Sequence, residues 1–333
     1  MTDSHVAVVT GASAGVGRAV ASELARRGFD VGLVARGEAG LAGAAREIEA
    51  LGRRALPLPT DVADHDAVQR AASAAEAGLG PISVWVNDAM TTTFSPVSQI
   101  EPGEFRRAIE VTFLGQVWGT MAALERMRPR DAGAIVNVGS ALAFIGIPLQ
   151  SAYCSAKFAC RGFFESARAE LIHDGSHVRL SMVHLPAVDT PQFHWCATAF
   201  DREPRPVAPI YEPEVAARHI VQVALDGRRA KILGSWNKLL VTAARLAPGF
   251  GNQYAALAAW DSQLTDEPLR PGRRANLCAP VDDTTDHGAR DGFGDEAGGF
   301  LDPSFLRTLP DAGRKAGIAA ARTLREKLRS SRG

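Results

Sequence analysis

Cysteine is scarce in this 333-residue chain: Cys154, Cys160, Cys196 and Cys278 form neither a CxxC pair nor a framework of short spacings. That excludes a disulfide-stapled scaffold, gives no zinc pattern, and leads us to expect no metal and reduced thiols in a cytosol. Charge of one sign is lacking too, since 37 Lys and Arg balance 37 Asp and Glu. A chain without net charge is not expected to bind nucleic acid wholesale. Nowhere do about 18 uninterrupted apolar residues occur, so no bilayer span is expected. The opening MTDSHVAVVTGAS has a five-residue apolar stretch before a glycine, far short of a signal-peptide core, so a cytoplasmic location is expected. What is present, 46% hydrophobic and 22% charged residues, excludes a disordered polymer and suits one large core with an appended tail.

Short β-branched runs alternate with longer helical patterns, the signature of repeated βαβ units and a parallel sheet. Candidate strands are residues 6–10, 31–35, 55–58, 82–86, 134–138, 178–184 and 231–234, apolar enough to be covered on both faces. Between them, segments such as GRAVASELARRG and EAGLAGAAREIEALG repeat apolar residues at three and four and stop at Gly28 and Gly52. The expected fold is α/β, a Rossmann-type doubly wound sheet of about seven parallel strands with helices on both faces, plus a C-terminal extension. The alternation ends near residue 235. We therefore expect a catalytic domain over 1–235, a helical extension over 236–275, an acidic Gly-rich loop of poor order over 276–303, and a basic helix over 304–333. The acidic stretch is placed to fold back on the basic end as a weak, salt-sensitive contact.

Directly after the first strand stands Thr10-Gly11-Ala12-Ser13-Ala14-Gly15-Val16-Gly17, followed by a helical pattern. Glycines there let the backbone turn tightly and approach a pyrophosphate, whose charge rests on amides at the helix N-terminus. The position after the second strand reads nucleotide preference: an acid holds a ribose 2′-hydroxyl, a base receives a 2′-phosphate. Arg36 stands there, so NADP(H) is expected over NAD(H). Asp61, after the third strand, either accepts from the adenine amino group or caps the helix beginning near His65.

Ser140 ends the fifth strand, Tyr153 follows thirteen residues on, and Lys157 lies four beyond Tyr153. Helical i and i+4 positions share a face, so the ammonium is held near the phenol and favours the phenolate. Ser140 is placed to hydrogen-bond a substrate oxygen as its charge changes.

Together with Asn87-x-Ala89 and Pro186-x-Val188-x-Thr190, these motifs resemble the short-chain dehydrogenase/reductase family over residues 5 to about 235. The resemblance implies an oxidoreductase acting on alcohols and carbonyls, with Tyr153 as general acid or base, Ser140 orienting the carbonyl or alcohol, and Lys157 also binding the nicotinamide ribose. It implies cofactor contacts from Gly11, Ser13, Gly15, Val16, Gly17, Arg36, Asp61, Val62, Asn87, Tyr153, Lys157, Pro186, Val188 and Thr190, the last near the carboxamide. It further implies 4-pro-S hydride transfer and a homodimer or homotetramer built partly on the helix carrying Tyr153.

Four positions depart from the family pattern: Asp88 and Met90 in its Asn-Asn-Ala-Gly turn, Thr112 where an asparagine supports a proton relay, and Ala187 in place of a glycine. Asp88, Met90 and Thr112 motivate a different class of reading, a nucleotide-binding regulatory or scaffold protein with a degenerate site. The loop after Thr190 carries Phe193 and Trp195, which read either as a lid over an apolar small-molecule substrate or as ordinary core packing. His184 reads as an inward or capping residue and His194 as a lid residue. Residues 235–260 and the basic end raise a membrane-peripheral form as a third, less favoured, reading.

Overall fold

The structure, a computed structural model, describes residues 5–246, 255–256, 259–290 and 292–298. All seven apolar runs form strands: β1 (His5–Thr10), β2 (Phe29–Ala35), β3 (Ala55–Pro59), β4 (Ile82–Asn87), β5 (Ala134–Ser140), β6 (Arg179–Leu185) and β7 (Ala230–Ile232). They lie parallel in the order β7-β6-β5-β4-β1-β2-β3. Strand order reverses between β1 and β4, where Thr10 sits beside Asn87. Their carboxyl ends part into a crevice, the place where such sheets bind ligands.

The helices are α1 (Gly15–Arg26), α2 (Glu38–Ala50), α3 (His65–Leu79), α4 (Pro102–Ile109), α5 (Gly115–Met127), α6 (Ser151–His173), the short α7 (Gln192–Trp195), α8 (Pro213–Asp226) and α9 (Ser235–Leu246). Their apolar faces cover both sides of the sheet. Along β1, Ala7 and Val9 enter one core with α1, α2 and α8, whereas Val6 and Val8 enter the other with α3, α5 and α6. This alternation explains why the strands read as continuous apolar runs rather than as half-polar ones. Truncating Ile135, fully buried in the second core, to alanine should cost about 2–5 kcal/mol.

Local chemistry sets the boundaries. Asp64, not Asp61, caps α3, its side chain accepting from the Ala67 amide at 2.9 Å. Pro213 opens α8 and Gly227, in the left-handed region, closes it. Between α4 and α5 the backbone widens into a π turn over Glu110–Leu114, a distortion common beside functional sites.

The extension differs from expectation. Among the described residues after β7, Ser235–Leu246 is the regular helix. Leu264–Pro268 is instead a strand, antiparallel to Arg202–Pro204. Farther on, Ala297–Gly298 pairs with Ile210–Tyr211, which also pairs with Ala187–Val188. Pairing satisfies backbone groups that an open loop would leave to water. The acidic stretch also packs onto the catalytic domain rather than standing away from it: Asp282 is buried and Asp286 pairs with Arg18. The basic helix expected over 304–333, and the acidic stretch's expected contact with it, lie outside the described residues.

Candidate active site

The first turn of the crevice depends on close backbone approach. Gly11 has φ +74° and its amide donates to the Val34 carbonyl at 2.7 Å. A Cβ there would meet Ala89 at 2.9 Å, and one on Gly17 would meet the Gly11 oxygen at 2.2 Å. Loop, helix α1 and the end of β4 therefore close on one another only without side chains. Thr10 completes the clasp, its hydroxyl accepting from the amides of Asp88 at 3.0 Å and Ala89 at 3.1 Å.

Asn87 behaves differently from its expected place in the nucleotide site. Its Oδ1 accepts from the Trp85 indole at 2.8 Å, and its Nδ2 donates to Asn137 at 2.9 Å and Thr120 at 3.1 Å. Both Nδ2 hydrogens and one acceptor site of Oδ1 are thus used inside the core, where the residue is fully buried. Asp88 instead faces the phosphate turn. Burial pushes its carboxyl up to about 6, with the Lys157 charge and the Gly17 amide pulling the other way.

Ser140, Tyr153 and Lys157 converge as their spacing implies. Ser140 sits at the end of β5, its Oγ accepting from the Leu142 amide at 3.1 Å. Tyr153, in the first turn of α6, lines the same cavity as Ser140, close enough for Ser140 to favour its phenolate. Buried Lys157 lies one turn on, donating to the Val138 carbonyl at 2.8 Å, with its ammonium 5.6 Å from the Tyr153 ring centre. Burial raises the phenol above its ordinary value, while Lys157 and then Ser140 oppose that rise. The arrangement holds a proton donor under an adjacent positive charge, the setting of general acid and base chemistry. Thr112 lies in the π turn, and its hydroxyl is spent on Thr91, accepting from that amide at 3.0 Å and donating to that carbonyl at 2.7 Å. A relay through the Thr112 hydroxyl is thus not what the geometry offers.

A cavity of about 480 Å³ runs along the crevice. Of the expected cofactor residues, Gly11, Ser13, Gly15, Val16, Arg36, Asp61, Val62, Tyr153, Lys157, Pro186, Val188 and Thr190 line it; Gly17 and Asn87 do not. Gly17 shapes the turn from behind, and Asn87 is held in the core. At the other end Phe193 and Trp195 join Trp236 and Leu240 of α9. Phe193 itself packs among Phe94, Cys196 and Phe293. The aromatics of this loop therefore line the cavity and fill a small core of their own. His184 is the inward residue expected, its Nδ1 3.2 Å from the Ser140 carbonyl oxygen. His194 stacks on Phe293 in the lid region.

At the Arg36 end the C-terminal extension enters, which no local pattern in the sequence signalled. Arg36 donates to the carbonyls of Asn276, Leu277 and Cys278. Asp61 pairs with Arg107, whose Nε donates to Leu277. Arg107 and Asp282, together with α9, are the parts of the site that motif spacing missed.

A family model described as short chain dehydrogenase matches residues 5–197. The uncharacterized oxidoreductase YxnA of Bacillus subtilis is 32% identical over 82% of this chain and 77% of its own. A 3-dehydrosphinganine reductase of Danio rerio is 30% identical, covering 70% of this chain and 72% of that protein. A metagenomic short-chain oxidoreductase solved in complex with NADP superposes with a TM-score of 0.57 at 29% identity, over 69% of this chain and 95% of that one. Among the described residues no helix is long and apolar enough to cross a membrane. With a dinucleotide-type crevice, a Ser–Tyr–Lys cluster at its end and a family match over most of the sheet, this chain belongs to the short chain dehydrogenase family of oxidoreductases.

Proposed function

We propose that the protein interconverts a carbonyl compound and a secondary alcohol with NADP(H), Tyr153 serving as general acid and base. One observation carries this reading: Ser140, Tyr153 and Lys157 line one cavity with the glycine turn and Arg36, the Lys157 ammonium 5.6 Å from the Tyr153 ring centre. The donor set fits a dinucleotide, since the cradle at Gly11 and Gly17 has no room for a Cβ and Arg36 directly follows β2. The NADP bound in the metagenomic neighbour supports the choice of nucleotide. The nicotinamide, when bound, supplies or accepts the hydride.

Tyr153 gives its proton to the carbonyl oxygen in reduction and takes it back in oxidation. Ser140 hydrogen-bonds the same oxygen as its charge changes. Lys157 lowers the cost of the phenolate and binds the nicotinamide ribose, with the Val138 carbonyl fixing its position. Arg36 receives the 2′-phosphate. Phe193, Trp195 and Trp236 favour an apolar substrate. Exposed Phe158 and Ile172 on α6 and Met121 on α5 support self-association through these helices.

The test follows NADPH absorbance over a panel of carbonyl compounds. Tyr153→Phe should lower turnover by about 10²–10⁴-fold while leaving NADP⁺ binding intact. Full turnover in that variant sinks the mechanism. Binding of NADP⁺ without turnover on any carbonyl favours a regulatory protein instead.

A further inference from the structure

Helix α2 presents three glycines at intervals of three, Gly37 at its N-cap, Gly40 and Gly43, and the acidic stretch of the extension lies in the groove they leave. A Cβ on Gly37 would stand 1.9 Å from the Asp282 Oδ1, one on Gly40 would stand 2.5 Å from its Oδ2, and one on Gly43 would stand 1.9 Å from Asp286. Interior helical glycine costs about 0.5–1 kcal/mol relative to alanine. Here it makes room for two carboxylates. The Gly40 amide donates to the Asp282 carbonyl at 3.1 Å, and the Gly15 amide of the phosphate turn to the Gly288 carbonyl at 3.3 Å.

Asp282 is 5% exposed, lines the cavity, and its Oδ2 has no hydrogen-bond partner. An unpaired buried carboxylate oxygen is costly unless a ligand donates to it. Its surroundings define which ligand. It stands at the positive end of α2, beside Ser13 and in the field of Arg36, where an anion is favoured. That is the place at which a basic residue after β2 receives a ribose 2′-phosphate. A nucleotide with a free 2′-hydroxyl can donate to Asp282, whereas a 2′-phosphate meets it as a like charge and must compete with it for Arg36.

We infer that Asp282, delivered by the C-terminal extension, is a specificity residue of the nucleotide site: it fills the 2′-phosphate subsite, restrains NADP(H) binding and leaves NAD(H) binding open. The inference rests on the cofactor reading above and deepens it. Arg36 pulls toward the phosphorylated nucleotide, and Asp282 sets how far. NADP(H) binds by displacing the segment from the glycine groove.

The experiment measures dissociation constants of the full chain for NADP⁺ and NAD⁺ by calorimetry, with hydrogen exchange of residues 277–288 alongside. Asp282→Asn should tighten NADP⁺ by about tenfold, well inside the cost of a like-charge contact, and change NAD⁺ by less than about threefold. Gly37→Ala should do the same without altering any charge, because the added methyl expels Asp282 while its φ of −79° tolerates alanine. NADP⁺ should raise exchange at 277–288. A ratio of the two constants unmoved in both variants, or exchange lowered by NADP⁺, overturns the inference. Arg36→Ala separates the two readings: it should weaken NADP⁺ whether or not Asp282 is present, and its failure to do so strikes the cofactor reading instead.

Discussion

The Lys157 ammonium and the Val138 carbonyl are bonded at 2.8 Å inside the protein, so the charge that steadies Tyr153 is anchored to the central sheet. Replacing Lys157 with methionine removes both the anchor and the charge. The phenol then loses the strongest group opposing burial, which favours its neutral form. Turnover at neutral pH should fall by about 10²-fold or more, and the acid limb of kcat/KM for alcohol oxidation, where Tyr153 must be ionised, should move to higher pH. A pH–rate profile checks both, and an unshifted limb removes Lys157 from the ionisation.

Asp88 carries its proton more tightly in the folded chain than in the unfolded one, about 6 against 3.8. Between those values the folded state binds more protons, so this group stabilises the fold as pH falls through 6 and weakens it as pH rises. Asp88→Asn should raise the melting temperature at pH 8, by about 2–4 °C for a gain on the order of 1 kcal/mol, and bring no gain at pH 4. A gain at both pH values argues against burial as the cause.

His184 has the opposite sign. Burial lowers it to about 4 from 6.5, so the unfolded state binds more protons in that window and stability is lost as pH falls from 6.5 toward 4. The two groups oppose each other across nearly the same range. Denaturant midpoints of the wild type should therefore change little between pH 4 and 6 on their account. His184→Gln should become relatively more stable in acid, and Asp88→Asn relatively less, when each is compared with its own value at pH 7.

Asn87→Ala leaves the Trp85 indole and the Asn137 and Thr120 side chains short of a partner within the core. Thermal unfolding should show a loss of about 1–3 kcal/mol or more, with the NADP⁺ dissociation constant of the folded variant changed less than about threefold. A large loss of affinity at unchanged stability returns Asn87 to the nucleotide site.

The fold was legible because burial on both faces leaves the central strands as largely apolar runs, and each of the seven runs was found as a strand within a few residues of the expected ends. Ser140, Tyr153 and Lys157 were legible because a strand end and one helical turn fix their relation locally. The core pairing of the Asn87 side chain went unread although the clue was near: Trp85 lies two residues back, on the same face of β4, within reach of its amide. Asp61 was left between two possibilities, and Asp64 proved to be the cap. Asp282 carried no local signal at all. Its setting is made by three helical glycines some 240 residues earlier in the chain, a contact without a periodicity.

Residues 276–298 reach from one ligand end to the other. The Asn276 amide bonds the Trp195 carbonyl at 2.8 Å, Asp282 lies in the α2 groove, and Phe293 packs on Phe193 while its amide bonds Asp189 at 3.2 Å. A single tether spanning both compartments makes their occupancy interdependent. A hydrophobic inhibitor seated under Phe193 should therefore change dinucleotide affinity, and reciprocity requires the dinucleotide to change the inhibitor's affinity by the same factor.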